Sequence, residues 1–384
     1  MAPPIKVGIV GLTGRSGVFE PGRWAVSAHL PPLVASPSYE IVALANSSVE
    51  SARKSIAFHK LPPTTAAYGS GEDLAKDPNV DLVVVSIRAQ SHFSPAKAAI
   101  EHGKDVFVEW PVGCSLAETE ELARLAEQAG VKTAVGLQAR SGKVVAAVKK
   151  ILADGTIGKV VSSHALGNAS LVPVDTWWAG MEYYLDMSSG ANEFHIYFGH
   201  FLDSFIDILG DFDTLQSTLT TQWPTIPIVD KAGEVVNPAY PKTVPDHIMV
   251  QGRLASGAAA SLSFRHTKAS GDGTGIRWII AGTEGEIAVT LPESLADISA
   301  QWQTSYPRAK VHVRVGRDEP VEVDLDAGFA AHDPAVLALE HTPLNTGLVY
   351  DAFAHGDKSR YADFASALRT RRLLERIAKA GGYA

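Results

Sequence analysis

A glycine-rich loop set between a short apolar run and a helical pattern limits what this chain can fold into more than any other feature. Val7 to Val10 is apolar and ends in Gly11; the loop Gly11-Leu12-Thr13-Gly14-Arg15-Ser16-Gly17 follows, and a helical pattern runs from Trp24 to Val34. In that order, strand, loop and helix bring backbone N–H groups and a helix N-terminus to one place, where they can hold a pyrophosphate. Glycine matters there because a Cβ would block the close approach or the positive φ. The spacing G-x-x-G-x-x-G has one residue more between its first two glycines than the dinucleotide fingerprint, so its meaning depends on what surrounds it.

The surroundings are favourable. Ile41 to Ala45, Asp81 to Ile87, Asp105 to Glu109 and Thr133 to Leu137 read as further strands. A helix begins near Val49, and the amphipathic helix Leu116 to Gln128 separates the last two strands. Near-continuous β-branched runs alternating with helices predict a doubly wound parallel sheet, a Rossmann domain over residues 1–140, with its ligand at the C-terminal strand ends.

The texture then changes. A helix from Lys143 to Ala153 precedes alternating segments at Val160 to Leu166, Ile248 to Leu254, Ala258 to Phe264, Ile276 to Ala281, Ile287 to Leu291 and Val311 to Val315. These predict an α+β domain over residues 141–384 built on a large, open, mainly antiparallel sheet. The proline-rich interval from Trp223 to Pro245 reads as surface loop, and a last helix over residues 361–378 closes the chain. The fold class is therefore α/β.

Composition excludes several functions. Lys and Arg number 34 against 42 Asp and Glu, a net charge of −8, the wrong sign for broad contact with a phosphate backbone, so direct nucleic-acid binding is not expected. The single cysteine, Cys114, supplies neither an internal disulfide nor a thiolate metal cluster, and no H-x-x-x-H or H-E-x-x-H pattern occurs, so no metal is expected and a reducing, cytoplasmic address is. No uncharged apolar stretch is long enough to span a bilayer.

The strand ends supply the cofactor candidates: Gly11, Thr13, Gly14, Arg15 and Ser16 for the phosphates, then Asn46, Ser47 and Ser48, Ile87, Arg88 and His92, Glu109 and Trp110, and Gln138. NAD-preferring folds carry an acid on the ribose hydroxyls at the second strand end, where this chain has Asn46-Ser47-Ser48. Without that carboxylate a 2′-phosphate is not repelled, and Arg15 or Arg53 could bind one, so NADP is expected ahead of NAD. His92 fits a cap of the next helix somewhat better than a nicotinamide contact, and Glu109 fits either a cofactor contact or a helix cap.

The densest polar cluster is Tyr183-Tyr184-Leu185-Asp186 with the run Glu193 to Asp203. His195 and His200 lie on different stripes of one predicted helix, so at least one should face the ligand. An imidazole can exchange a proton with a substrate oxygen while hydride moves to or from a nicotinamide. His200, Tyr184 and His195 are the catalytic candidates; Trp177, Trp178 and Asp186 are candidate substrate contacts, the tryptophans favouring a larger or more apolar small molecule such as a secondary metabolite.

These pieces together resemble the glucose-fructose oxidoreductase, inositol dehydrogenase and MocA (Gfo/Idh/MocA) family. The resemblance rests on Gly8-Ile9-Val10-Gly11, Val108-Glu109-Trp110-Pro111 in place of the family's Glu-Lys-Pro, Gly199-His200-Phe201-Leu202-Asp203 in place of its H-x-x-D helix, and Tyr361-Ala362-Asp363-Phe364. It implies NAD(P)-dependent hydride transfer and a homo-oligomer, dimer or tetramer, assembled through the second domain's sheet. Two positions depart from the family pattern: Trp110 stands at the catalytic lysine and Ile196 at an aspartate, leaving His200 of the proton-handling groups. The stretches Phe107-Val108-Glu109-Trp110, Cys114-Ser115-Leu116, Phe198-Gly199-His200 and Lys242-Thr243-Val244-Pro245-Asp246-His247 look like the branch of the fungal galactose-pathway repressor. That branch implies the alternative of a non-catalytic, dinucleotide-sensing co-regulator that binds a partner protein.

Overall fold

The computed structural model describes residues 3–15, 22–168, 173–293, 308–329, 332–339 and 342–383. It forms two compact units, Met1–Ser141 with Ala330–Arg369, and Gly142–Phe329 with Thr370–Ala384. The first boundary lies beside the expected residue 140; the stretch Ala330–Arg369, which the sequence reading gave to the second domain, packs with the first unit.

In the first unit, β1 (Ile5–Val10), β2 (Tyr39–Ala45), β3 (Ala66–Tyr68), β4 (Leu82–Val85), β5 (Asp105–Val108) and β6 (Thr133–Val135) form a sheet of order β3-β2-β1-β4-β5-β6. Every pairing is parallel. The order reverses between β1 and β4, the switch point at which such sheets open a crevice beyond their strand ends. Strand β3 escapes a sequence reading because it has only three half-buried residues behind the turn-forming Leu61-Pro62-Pro63. The expected helix from Trp24 to Val34 is a wide-turn helix, Ala25–His29, followed by an α-helix, Leu30–Ala35. Pro31 and Pro32 lack the N–H groups that would continue the first helix, so the second starts there.

The helix Thr342–His355 was not foreseen. Its residues Leu344 through Phe353 are all buried, so it has no polar stripe for the hydrophobic period to reveal. Val349, Tyr350 and Phe353 join Val7, Ile9, Leu44, Val84 and Phe107 in one hydrophobic cluster.

The second unit carries β7 (Val160–Asn168), β8 (Trp177–Trp178), β9 (Phe212–Thr220), β10 (Thr225–Val229), β11 (Val235–Pro241), β12 (His247–Leu254), β13 (Ala259–Arg265), β14 (Thr274–Gly282), β15 (Gly285–Pro292), β16 (Lys310–Val315) and β17 (Val321–Glu322). Eight of them form a sheet of order β17-β16-β15-β14-β7-β13-β12-β9. It is antiparallel except where β13 runs parallel to β7. The interval read as loop instead holds β10 and β11, and with β8 they form a small three-stranded sheet of order β11-β10-β8. Edge strand β9 was also missed, because it is largely polar and only Phe212 and Leu219 are buried in it. The closing helix runs Phe364–Ala380, with Asp363 accepting a hydrogen bond from the Ser366 amide at its start.

A wide-turn segment, Phe194–Phe198, leads into the helix Gly199–Leu209 on the inner face of the large sheet. Phe198 and Phe201 lie 5.3 and 4.8 Å, centroid to centroid, from Phe264, and Phe201 lies 5.3 Å from Trp278. This aromatic seam fixes the rotation of the helix and hence the placement of His200, one residue before Phe201.

Candidate functional site

The glycine loop is a backbone cradle. Gly11 adopts φ +97°, and a Cβ on it would come within 2.2 Å of Ile87 Cγ2 and 2.6 Å of the Ser86 carbonyl oxygen. Only glycine lets the chain turn off β1 this close to the end of β4. Thr13 takes part through its backbone, its carbonyl lying 2.6 Å from His59 Nε2, and its hydroxyl accepts a hydrogen bond from the Arg15 amide. Gly14 lies against Ser55 of the helix Val49–Phe58, and Arg15 is exposed. Ser16 lies outside the described residues.

At the end of β2 the three candidates divide. Asn46 clamps the loop: its Oδ1 accepts from the Leu12 amide at 3.1 Å, and its Nδ2 donates to the Leu12 carbonyl and to Ser55 Oγ, both at 3.0 Å. Ser48 caps the helix Val49–Phe58 by accepting from the Ser51 amide. Ser47 is exposed, and so is Arg53 one turn into the helix.

The ends of β4, β5 and β6 are tied to one another. His92 is buried with Nδ1 2.8 Å from the Pro111 carbonyl and Nε2 3.1 Å from the Ile87 carbonyl. Burial pushes its pKa below the ordinary value, against the pull of the two carbonyls; the ring sits as a brace between two turns, and when neutral it donates to one of the carbonyls only. Ile87 is half-buried and Arg88 exposed at the mouth of that brace. The Glu109 carboxylate accepts from His29 Nε2 and Gln138 Nε2, each at 2.8 Å, and from the Trp110 amide at 3.3 Å. Trp110 itself is buried. Gln138 Oε1 is buried without a hydrogen-bond partner among the described residues.

In the second unit, His200 is buried beside the aromatic seam. His195 donates through Nδ1 to Asn192 Oδ1 at 2.9 Å, and burial, with Arg371 nearby, keeps its pKa well below the ordinary value. Tyr184 stacks on Trp177 with centroids 5.0 Å apart and planes 17° apart, while Trp178 tilts against Trp177 at 5.0 Å. Burial, reinforced by Glu193, raises the Tyr184 phenol well above its ordinary pKa, so it is a proton-bearing donor near neutrality. Asp186 is engaged locally, accepting from the Ser188 amide and hydroxyl at the start of the turn Met187–Ser189.

Two buried networks were not read from the sequence. One joins His29 to Glu109 and to the Tyr350 hydroxyl at 2.7 Å. In the other, Glu193 pairs with His266 Nδ1 at 2.8 Å and Lys242 Nζ at 3.4 Å, and Lys242 lies 3.7 Å from Asp246. Burial works against the Glu193 carboxylate, but His266 and Lys242 outweigh it and bring the pKa down to about 2. The signal for the second network was the unusual Lys242-to-His247 stretch; the first joins residues 321 apart and had none. Among the described residues no group of three or more His, Cys, Asp or Glu is placed to hold a metal, and no helix is long and apolar enough to cross a membrane.

Comparison with known proteins fits this anatomy. Residues 5–137 match the GFO_IDH_MocA oxidoreductase family, NAD-binding Rossmann fold, and residues 143–291 match the Gal80p C-terminal domain. The chain is 33% identical over 295 residues to dehydrogenase aclE of Aspergillus oryzae, covering 76% of this chain and 78% of that protein. The chain belongs to the Gfo/Idh/MocA family. Its first unit is therefore an NAD-binding Rossmann oxidoreductase domain. It is also 28% identical over 344 residues to the galactose/lactose metabolism regulatory protein GAL80 of Saccharomyces cerevisiae, covering 85% of this chain and 76% of that one. The crystal structure of a super-repressor mutant of Gal80p from the same yeast superposes with a TM-score of 0.81 at 22% identity, covering 99% of this chain and 96% of that one, which shows a shared fold. The relatives of this chain thus include both a dehydrogenase and a galactose/lactose metabolism regulatory protein.

The family's dinucleotide fits the residues present. Gly11 lets the chain turn off β1 against the Ser86–Ile87 backbone where a Cβ would collide, and the orphaned Gln138 oxygen after β6 lacks a donor.

Proposed function

We propose that this protein is an NAD(P)-dependent oxidoreductase that moves hydride between the nicotinamide cofactor and a carbonyl, alcohol or imine carbon of a small molecule. The observation that carries the reading is the Gly11 cradle at the switch point of a six-stranded parallel sheet, in a chain 33% identical to a dehydrogenase. When bound, the dinucleotide supplies the hydride donor or acceptor. The chain's own residues handle the proton. In the oxidising direction the substrate O–H bond breaks and its proton passes to His200; in reduction His200 returns it. Tyr184 donates a hydrogen bond to the substrate oxygen, His195 assists as a neutral group, and Trp177, Trp178 and Asp186 bound the substrate. Trp110 at the family's lysine position leaves no ammonium there, so the proton falls to the imidazole.

NADP is the preferred cofactor in this reading, with NAD second. Ser47 is exposed and uncharged at the end of β2, Arg53 is exposed on the next helix, and the acid there, Glu50, is paired with Lys54 at 2.7 Å. The partner is a small molecule and the address cytoplasmic. Two or four copies associate through the outer face of the large sheet, where Met249 stands 46% exposed.

A rapid-mixing screen for NADPH oxidation and NADP⁺ reduction over carbonyl, imine and polyol panels tests the proposal. Turnover is expected, with His200→Ala lowering kcat far more than cofactor affinity. The match of residues 143–291 to the Gal80p C-terminal domain favours a second reading, a dinucleotide-sensing co-regulator that binds a partner protein. Tight cofactor binding with no turnover on any panel would support it instead.

A further inference from the structure

We propose that Tyr350, His29 and Glu109 form a positioning relay that fixes the amide of Gln138 so that its oxygen accepts the carboxamide N–H of a nicotinamide. The inference rests on the reading that the first unit binds a pyridine dinucleotide, and it concerns which residues grip the redox end.

The relay lies wholly inside the first unit. Tyr350 is fully buried on the helix Thr342–His355, and its hydroxyl lies 2.7 Å from His29 Nδ1. The other ring nitrogen of His29 lies 2.8 Å from Glu109 Oε1, and Gln138 Nε2 lies 2.8 Å from the same oxygen. Proton directions follow from chemistry: the phenol donates to Nδ1, Nε2–H donates to the carboxylate, and the carboxylate can only accept. Gln138 must therefore turn its nitrogen toward Glu109. That choice leaves Oε1 as a buried acceptor without a donor among the described residues, an arrangement that is costly unless a ligand completes it.

The close approach is built in. A Cβ at position 136 would stand 2.1 Å from Glu109 Oε2, so Gly136 makes room for the carboxylate beside β6. The turn after β5 is held as well, by the Trp110 amide on Glu109 Oε2 and by His92 on the Pro111 carbonyl. The location selects the ligand group. In a doubly wound sheet the two mononucleotide halves of a dinucleotide lie on either side of the switch point. The glycine loop and β2 belong to the half with β1 and β3, whereas Gln138 follows β6 in the other half, where the nicotinamide and its carboxamide N–H belong.

The test is calorimetric titration of the full chain with NAD⁺, with 3-acetylpyridine adenine dinucleotide, which lacks the carboxamide N–H, and with ADP-ribose, which lacks the ring. The wild type should bind NAD⁺ about tenfold more tightly than the acetylpyridine analogue, the worth of about one hydrogen bond. Gln138→Met should erase that preference and leave ADP-ribose affinity within about twofold. Tyr350→Phe, a milder change that keeps the test available if the first variant does not fold, should shrink the preference without altering ADP-ribose binding. No preference in the wild type, an undiminished preference in both variants, or equal losses on all three probes would overturn the relay. A wild type that binds none of the probes and no NADPH would overturn the dinucleotide reading as well, which separates the two failures.

Discussion

Asn46 and Leu12 form a closed pair of hydrogen bonds, side-chain oxygen to amide at 3.1 Å and side-chain amide to carbonyl at 3.0 Å. The residue that stands where NAD-preferring folds carry an acid is thus the clamp that shapes the glycine loop after β1. Asn46→Ala removes both bonds and leaves the buried Leu12 amide and carbonyl unpaired. The expected result is a stability loss of about 1–3 kcal/mol in urea unfolding and dinucleotide affinity weakened about tenfold or more.

Gly11→Ala tests the cradle itself. The new methyl would meet Ser86 backbone oxygen at 2.6 Å as well as the Ile87 side chain, in a backbone conformation that alanine disfavours. Because backbone cannot swing aside as a side-chain end can, the variant should lose roughly 2 kcal/mol or more of stability and bind neither NADPH nor NADH measurably. Thermal unfolding and fluorescence titration check the two parts.

Ser47→Asp addresses cofactor choice. An exposed carboxylate at the end of β2 would repel a 2′-phosphate and accept from ribose hydroxyls. The NADPH:NADH affinity ratio should fall about tenfold or more; an unchanged ratio would refute the placement of the 2′-phosphate there.

Acid stability follows from Glu193. Its pKa is about 2 in the folded chain against an ordinary 4.5, so its contribution is complete above about pH 4.5 and is lost as pH falls toward 2. The full shift corresponds to roughly 3 kcal/mol. Glu193→Gln should lower stability at neutral pH, since it withdraws the carboxylate beside buried Lys242 and His266. The gap to the wild type should narrow across that same window, as read by denaturant unfolding at a series of pH values.

Elements that make their own pattern were legible in the sequence. The helix Lys143–Ala153 has the bounds its apolar period predicts, and β12 to β16 match their alternation to within two residues, because each buries one face and wets the other. The helix Thr342–His355, buried all round, and the polar edge strand β9 lack that contrast. Site residues divide in the same way. Gly11 announces itself through local backbone need, whereas the partnership of His29 with Tyr350 exists only once the chain has folded. Residue type leaves role open: Ser48 is a cofactor candidate by position and His92 fits a structural role somewhat better than a nicotinamide contact, and in the structure Ser48 caps a helix while His92 braces two turns.

The central prediction is that the loop after β1 grips a diphosphate. Isothermal titration of the full chain with NADPH and with NADH measures this directly. Saturable binding of both, tighter for NADPH and abolished by Gly11→Ala, is the predicted result. A chain that takes up neither nucleotide, or one whose affinity is untouched by a methyl group in that turn, would contradict it.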